Sequence, residues 1–165
     1  MPSGFYALPN LPYLLASFVH LLGLSVWLGG IVALGAIAAP VLFRRLPRTE
    51  AGALFGPMLR VFEKVSLGAA IATVAGAAAK GWIGGQNANV WIVSRDVALG
   101  VMVLLLLAAN FGVHPAIRRL QEATPGIGAL PETDPARARF QRMHKLSERM
   151  MSAQLFLGLV VLLFA

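Results

Sequence analysis

The stretch Val97–Ile117, VALGVMVLLLLAANFGVHPAI, runs for 21 residues without an Asp, Glu, Lys or Arg. About 20 apolar residues in a helix cross about 30 Å of hydrocarbon, so this segment predicts a transmembrane helix. The rest of the chain agrees. Of 165 residues, 58% are hydrophobic and 13% charged, and the mean hydropathy is +0.73. A soluble domain carries about 25% charged residues, and half that charge does not cover a globule's surface. Disorder is excluded for the opposite reason, since so much apolar surface does not stay solvated.

Working outward, Met1–Phe43 also lacks every charged residue type, and its basic residues follow the apolar run at Arg44, Arg45 and Arg48. That order is the reverse of a signal peptide's, so a retained first span is expected over 11–43. Thr49 is placed to cap a short helix through Phe55, ended by Gly56-Pro57, where Pro57 suits the first turn of a new helix. A second span is expected over 57–82, with Lys64 and Lys80 snorkelling to opposite headgroup layers. A Gly/Asn turn, Gly81–Asn89, leads to a third span over 90–117. The loop 121–135 holds three prolines and three acids. A helix restarts at Ala136 and becomes apolar after Arg149, giving a fourth span over 140–165. The expected fold is an all-α integral membrane four-helix bundle in a single domain, 1–165.

Basic residues set the orientation. The first connection and its helix ends carry Arg44, Arg45, Arg48, Arg60 and Lys64. The third carries Arg118, Arg119, Arg137, Arg139, Arg142, Lys145 and Arg149, leaving only Lys80 and Arg95 on the other side. The positive-inside rule places both larger groups, the 121–135 loop and the helix extensions in the cytoplasm, with both termini outside an inner membrane. Tyr6, Tyr13, Trp82 and Trp91 would form the outer aromatic belt. The +7 net charge is then a topology signal with anionic lipid as the cytoplasmic partner, and nucleic acid is not expected.

Small residues mark helix contacts in lipid. Gly68, Ala72 and Gly76 recur every four residues in span two, facing Gly29 and Gly30 of span one. Ionisable groups at membrane depth are functional candidates. His20 lies about 13 Å from one end of its span and Gln154 about 16 Å from the same surface, at 1.5 Å per residue. With Ser17 and Trp27 they form an expected polar midplane site. Two readings stand: a relay, ligand-binding or haem-ligating histidine, or a neutral one satisfied by Gln154, Ser17 or water. A second group, Asn110, His114, His144, Ser147 and Glu148, lies toward the basic end, where His114, His144 and Glu148 are the residue types that hold a divalent metal. Glu63 is expected to pair with Arg60 or with an arginine of the fourth helix. Zero cysteines exclude disulfides and thiolate metal sites. No Ser/His/Asp triad, phosphate loop or dinucleotide fingerprint is readable.

Two motifs go further: His20-x6-Trp27-Leu28-Gly29-Gly30 continuing to Ala39-Pro40-x2-Phe43 and Glu50-Ala51-Gly52, and Phe140-x3-His144-x2-Ser147. With four spans and Asn110–Arg119 they resemble the transmembrane protein 205-like family of four-helix membrane domains, over nearly the whole chain. The first span is also similar to the copper-resistance protein D family and to four-helix membrane protoporphyrinogen oxidases. The chain lacks exposed Met/His-rich segments for copper and a lysine at depth for oxidase chemistry. The resemblance points to His20, Trp27, Gly29, Gly30, Pro40, His144 and Ser147, and carries no activity with it. The expectation is a non-enzymatic multi-pass protein without a cofactor. It would act as a small binding or permeation element, or as a subunit of a homo-oligomer or larger membrane complex. The alternative is haem b, copper or another divalent metal on His20 or on the His114/His144 cluster.

Overall fold

The structure is a computed structural model, and it describes residues 11–85 and 89–165. Four long helices make up the fold: α1, Leu11–Arg45; α2, Arg48–Gly84; α3, Val90–Ala123; and α4, Pro135–Leu163. All four are long and apolar enough to cross a membrane. A large share of their big apolar side chains faces outward, including Phe18, Ile71, Leu104, Phe111 and Phe156. In water such a surface would drive aggregation; in lipid it is the solvated surface. Tyr6 lies outside the described residues. Trp82 and Trp91 are exposed near the connection between α2 and α3, as an interfacial belt requires.

Two helix starts follow local chemistry, and one expected start is absent. The Asn89 side chain accepts hydrogen bonds from the Trp91 and Ile92 N–H groups and caps α3. The Asp134 carboxylate accepts from the Ala136 and Arg137 N–H groups, with Pro135 in the first turn of α4. The connection before it is shorter than 121–135, because α3 runs on to Ala123 and a 3₁₀ turn occupies Ile127–Ala129. The expected break at Gly56-Pro57 is absent. Pro47 precedes α2, Thr49 is inside it, and Pro57 sits within a continuous helix. Proline deletes one backbone donor and leaves the carbonyl four residues earlier without its partner. That carbonyl belongs to Ala53, which is exposed and so open to partners outside the bundle.

Two prolines leave a clearer mark. Pro40 and Pro115 each follow a π-helical turn, Val32–Ala38 in α1 and Ala108–Val113 in α3. The proline ring collides with the carbonyl four residues back, and a wider turn immediately upstream relieves the collision without ending the helix. The sequence reading had only the prolines and missed both turns.

Helix packing is uneven. α1 lies closely along α2, α3 lies along α4, and α2 and α3 touch little. The close pair depends on two glycines. A Cβ at Gly76 would stand 2.5 Å from the His20 amide nitrogen and 2.7 Å from the Ala16 carbonyl oxygen. At Gly23 it would stand 2.7 Å from the Ala69 carbonyl oxygen. The contact face of α2 therefore runs Ser66, Ala69, Thr73, Gly76, about one residue round from the expected stripe. Gly68 is exposed and Ala72 half-buried, while Gly76 holds its expected place. On α1, Gly29 faces open space, and Gly30 makes room for the Phe62 ring. On α4, Gly158 makes room for Leu28.

Identical substitutions should separate these glycines. Gly76→Val drives a side chain into backbone and should cost about 3 kcal/mol, the upper range for overpacking. Gly68→Val faces lipid and should change stability by no more than about 0.5 kcal/mol. Reversible unfolding in mixed micelles measures both, and equal losses would refute the assignment of the contact face.

A polar file inside the bundle

The close approach of α1 and α2 determines what His20 can do. With no side chains at Gly23 and Gly76 between the helices, the His20 ring reaches across to α2. Its Nδ1 lies 2.9 Å from the Thr73 backbone carbonyl oxygen. A carbonyl only accepts, so the proton belongs on Nδ1 and Nε2 keeps a bare lone pair. Nε2 is fully buried and has no partner among the described residues. Neither expected partner of His20 is the observed one: Ser17 is half-buried and Gln154 is engaged elsewhere. Thr73, whose hydroxyl donates to the Ala69 carbonyl at 2.7 Å, went unread in the sequence. Its only signal was a hydroxyl within an apolar helix.

About two helical turns further along α1, the fully buried Trp27 donates its indole N–H to Gln154 Oε1 of α4 at 3.1 Å. Trp27 and Gln154 are thus joined as a pair, while His20 belongs to a separate centre. Leu24, also fully buried, sits on α1 between the two.

Beyond Gln154 a small cavity opens, about 20 Å³ in volume, with Gln154, Ser66, Asn110, Glu63 and His114 among its lining residues. A water needs about 10–15 Å³ of such space and two to four polar partners. The cavity is large enough for a water. It also unites two groups of residues that the sequence reading kept apart, the midplane glutamine and the Asn110/His114 end.

Glu63 is the centre of that end. Its carboxylate accepts from Arg118 Nη1 at 3.0 and 3.2 Å. Its backbone carbonyl accepts from Asn110 Nδ2 at 3.1 Å and from the Ser66 hydroxyl at 3.0 Å. Arg118, on α3, replaces the expected partners Arg60 and an α4 arginine. His114 Nδ1 lies 2.8 Å from Glu63 Oε1, with the oxygen off the ring N–H direction. The carboxylate assigns the proton to Nδ1, so Nε2 accepts from the Ser147 hydroxyl at 2.9 Å. A hydroxyl, an imidazole and a carboxylate on three helices thus stand in the order of a hydrolase triad. None was readable in sequence, because separations of 51 and 33 residues carry no local spacing. Acyl transfer also needs room for a substrate, and the adjoining cavity is small. Proton exchange with that water is the chemistry the arrangement supports.

The three residues expected to hold a metal do not converge. His114 is buried against Ser147 and Glu63. His144 is exposed, stacked on Phe140, and pairs with Glu148 at 3.3 Å. Among the described residues no three His, Asp or Glu side chains gather at metal-binding range. The Phe140-x3-His144 motif is surface geometry, whereas Ser147 of the same motif is buried.

A family model described as a domain of unknown function, DUF4149, matches residues 22–125, more than half of the chain. Trp27, Glu63, Asn110 and His114 lie inside the match, and His20, Ser147 and Gln154 outside it. No curated protein and no solved structure matches the chain.

The two carboxylate pairs differ in burial, and so should their removal. Glu63→Ala removes a carboxylate 13% exposed, leaving Arg118 without its counter-charge and the His114 ring without its acceptor, and should cost about 3 kcal/mol. Glu148→Ala breaks a pair exposed by more than half on both sides, and should cost under about 0.5 kcal/mol. Unfolding in mixed micelles reads both values.

Proposed function

The chain belongs to the DUF4149 family, and we propose that it is a small proton-permeation element of the inner membrane. Membrane character rests on the four spans. The carrying observation is the row of buried polar side chains inside the bundle, broken in one place. Glu63, Asn110, His114 and Gln154 line one small cavity, with Ser147 behind His114 on its Nε2. His20 and Thr73 form a second centre. Trp27 and Leu24 lie between them as an apolar barrier pinned by the Trp27–Gln154 bond.

Size favours a proton over other cargo. A cavity of about 20 Å³ is small for a hydrated ion or a metabolite, whereas a proton needs only one water and groups that take and release it. His114, with Glu63 and Arg118 setting its charge, is the loading group, and Gln154 is the last polar side chain before the barrier. The twelve clustered basic residues support a cytoplasmic chamber end, with anionic lipid around it and both termini outside. The motifs shared with transmembrane protein 205-like domains support the same four-span arrangement. Passage across the barrier would then be governed by movement of Trp27, alone or under control of a larger assembly.

Purified protein in vesicles that enclose a pH-sensitive dye tests this under an imposed potential. Wild type should acidify the lumen faster than protein-free vesicles. Trp27→Ala should raise the rate about tenfold by opening the barrier, and His114→Leu or Ser147→Ala should lower it about tenfold. Rates for wild type and Trp27→Ala equal to those of empty vesicles would overturn the proposal.

The bare, buried Nε2 of His20 favours one second reading, in which that lone pair ligates haem or a metal ion. The chain purified from cells grown with haem precursor should then show a Soret band or stoichiometric metal by elemental analysis. His20→Leu should abolish either signal.

A further inference from the structure

Lys80 and Arg95 are the two basic residues that orientation does not explain, and both are buried. Snorkelling cations at a helix end would be solvated, yet Lys80 is 4% and Arg95 3% exposed. A buried cation requires a counter-charge. Arg95 has one, since Nε and Nη2 both lie 2.9 Å from Asp96 Oδ1. Lys80 has no carboxylate within ion-pair distance among the described residues, which include all seven acids of the chain. Its Nζ stands 5.9 Å from the centre of the Tyr13 ring, a contact that partly offsets desolvation and cancels no charge. This end of the bundle therefore holds two buried cations and one carboxylate; Arg95 and Asp96 line the cleft described next, and Lys80 lies inside the bundle by Tyr13, off its lining.

Beside this group α2 and α3 part to leave a lateral cleft of about 480 Å³. Ala77 and Gly81 form one wall, Leu99, Gly100 and Val103 the other, with Arg95 and Asp96 also lining it. The cleft is open because its walls are small. A Cβ added at Gly81 or Gly100 meets nothing within 4 Å. Its volume is that of a ligand site, about 300–1,000 Å³, and its lining is mostly apolar. The occupant therefore has an apolar body and an anionic end. We propose that the cleft seats one acyl chain of an anionic phospholipid, its phosphate against Arg95 with the charge of Lys80 behind it. One negative charge brings the group to neutrality. A zwitterionic headgroup adds its own ammonium and leaves the surplus in place, so the site discriminates by headgroup.

The test is native mass spectrometry of the full chain in detergent, offered equal amounts of phosphatidylglycerol and phosphatidylcholine. Wild type should retain phosphatidylglycerol about tenfold better, a difference of about 1.4 kcal/mol. Lys80→Gln with Arg95→Gln should bring the ratio near one. Gly100→Leu fills the cleft from a helix face that has room for it. It should cut retention of both lipids about tenfold while leaving the lipid-free thermal midpoint unchanged, which keeps the test independent of the charged residues' part in folding. Equal retention of the two lipids by wild type, undiminished binding by Gly100→Leu, or a chain dimer that excludes lipid would overturn the proposal. Lipid retention is read without any proton flux, so this outcome and that of the permeation assay are separable.

Discussion

Glu63 ties together α2 and α3, the two neighbouring helices that pack least against each other. α2 and α3 touch little along their length, and one wide cleft separates them toward the Lys80 end. At the opposite end the Glu63 carboxylate takes Arg118 of α3, and its backbone carbonyl takes Asn110 of α3 and Ser66 of α2. His114 faces the same carboxylate and passes the connection on to Ser147 of α4. Inside hydrocarbon no water replaces a lost partner, so each of these groups is held by the others. α1–α2 and α3–α4 are close-packed pairs; α1 meets α4 through Leu28 at Gly158 and the Trp27–Gln154 bond, and the polar set around Glu63 joins α2 to α3 and α4.

The chamber follows from the same constraint. Side chains that must find partners inside the bundle leave space where their geometry is imperfect. The off-axis approach of Glu63 to His114 and the small cavity beside it are two signs of that. The Trp27–Gln154 bond closes the chamber with a donor-only indole, so the barrier is a large ring that one hydrogen bond retains.

Much of the architecture was legible because hydrocarbon imposes it. Val97–Ile117 and Met1–Phe43 lack charge for a reason that admits few alternatives. His20, Trp27, Asn110, His114, Ser147 and Gln154 stood out for the same reason and are all buried. What hydropathy does not carry is the rotation of each helix and the neighbour it meets. Gly68 and Ala69 differ by about 100° around α2, and that step separates an outward glycine from the contact face. Thr73 as the partner of His20, and Arg118 as the partner of Glu63, both depend on it. Lys80 looked like a snorkelling residue, because position along the chain does not reveal which way a lysine turns.

The π turn at Ala108–Val113 has a consequence for length. A π turn is one residue inserted into an α-helix, and everything after it is turned by about 100° relative to an unbroken helix. Asn110 lies within the turn and His114 directly after it, and both face the interior. Removing one residue there would restore ordinary pitch, keep the composition and hydropathy of the span almost unchanged, and swing His114 and Arg118 away from Glu63. Chain length in this span is therefore as strict a requirement as residue identity. Related chains that share the chamber should tolerate substitutions across α3 more readily than a single insertion or deletion ahead of Pro115.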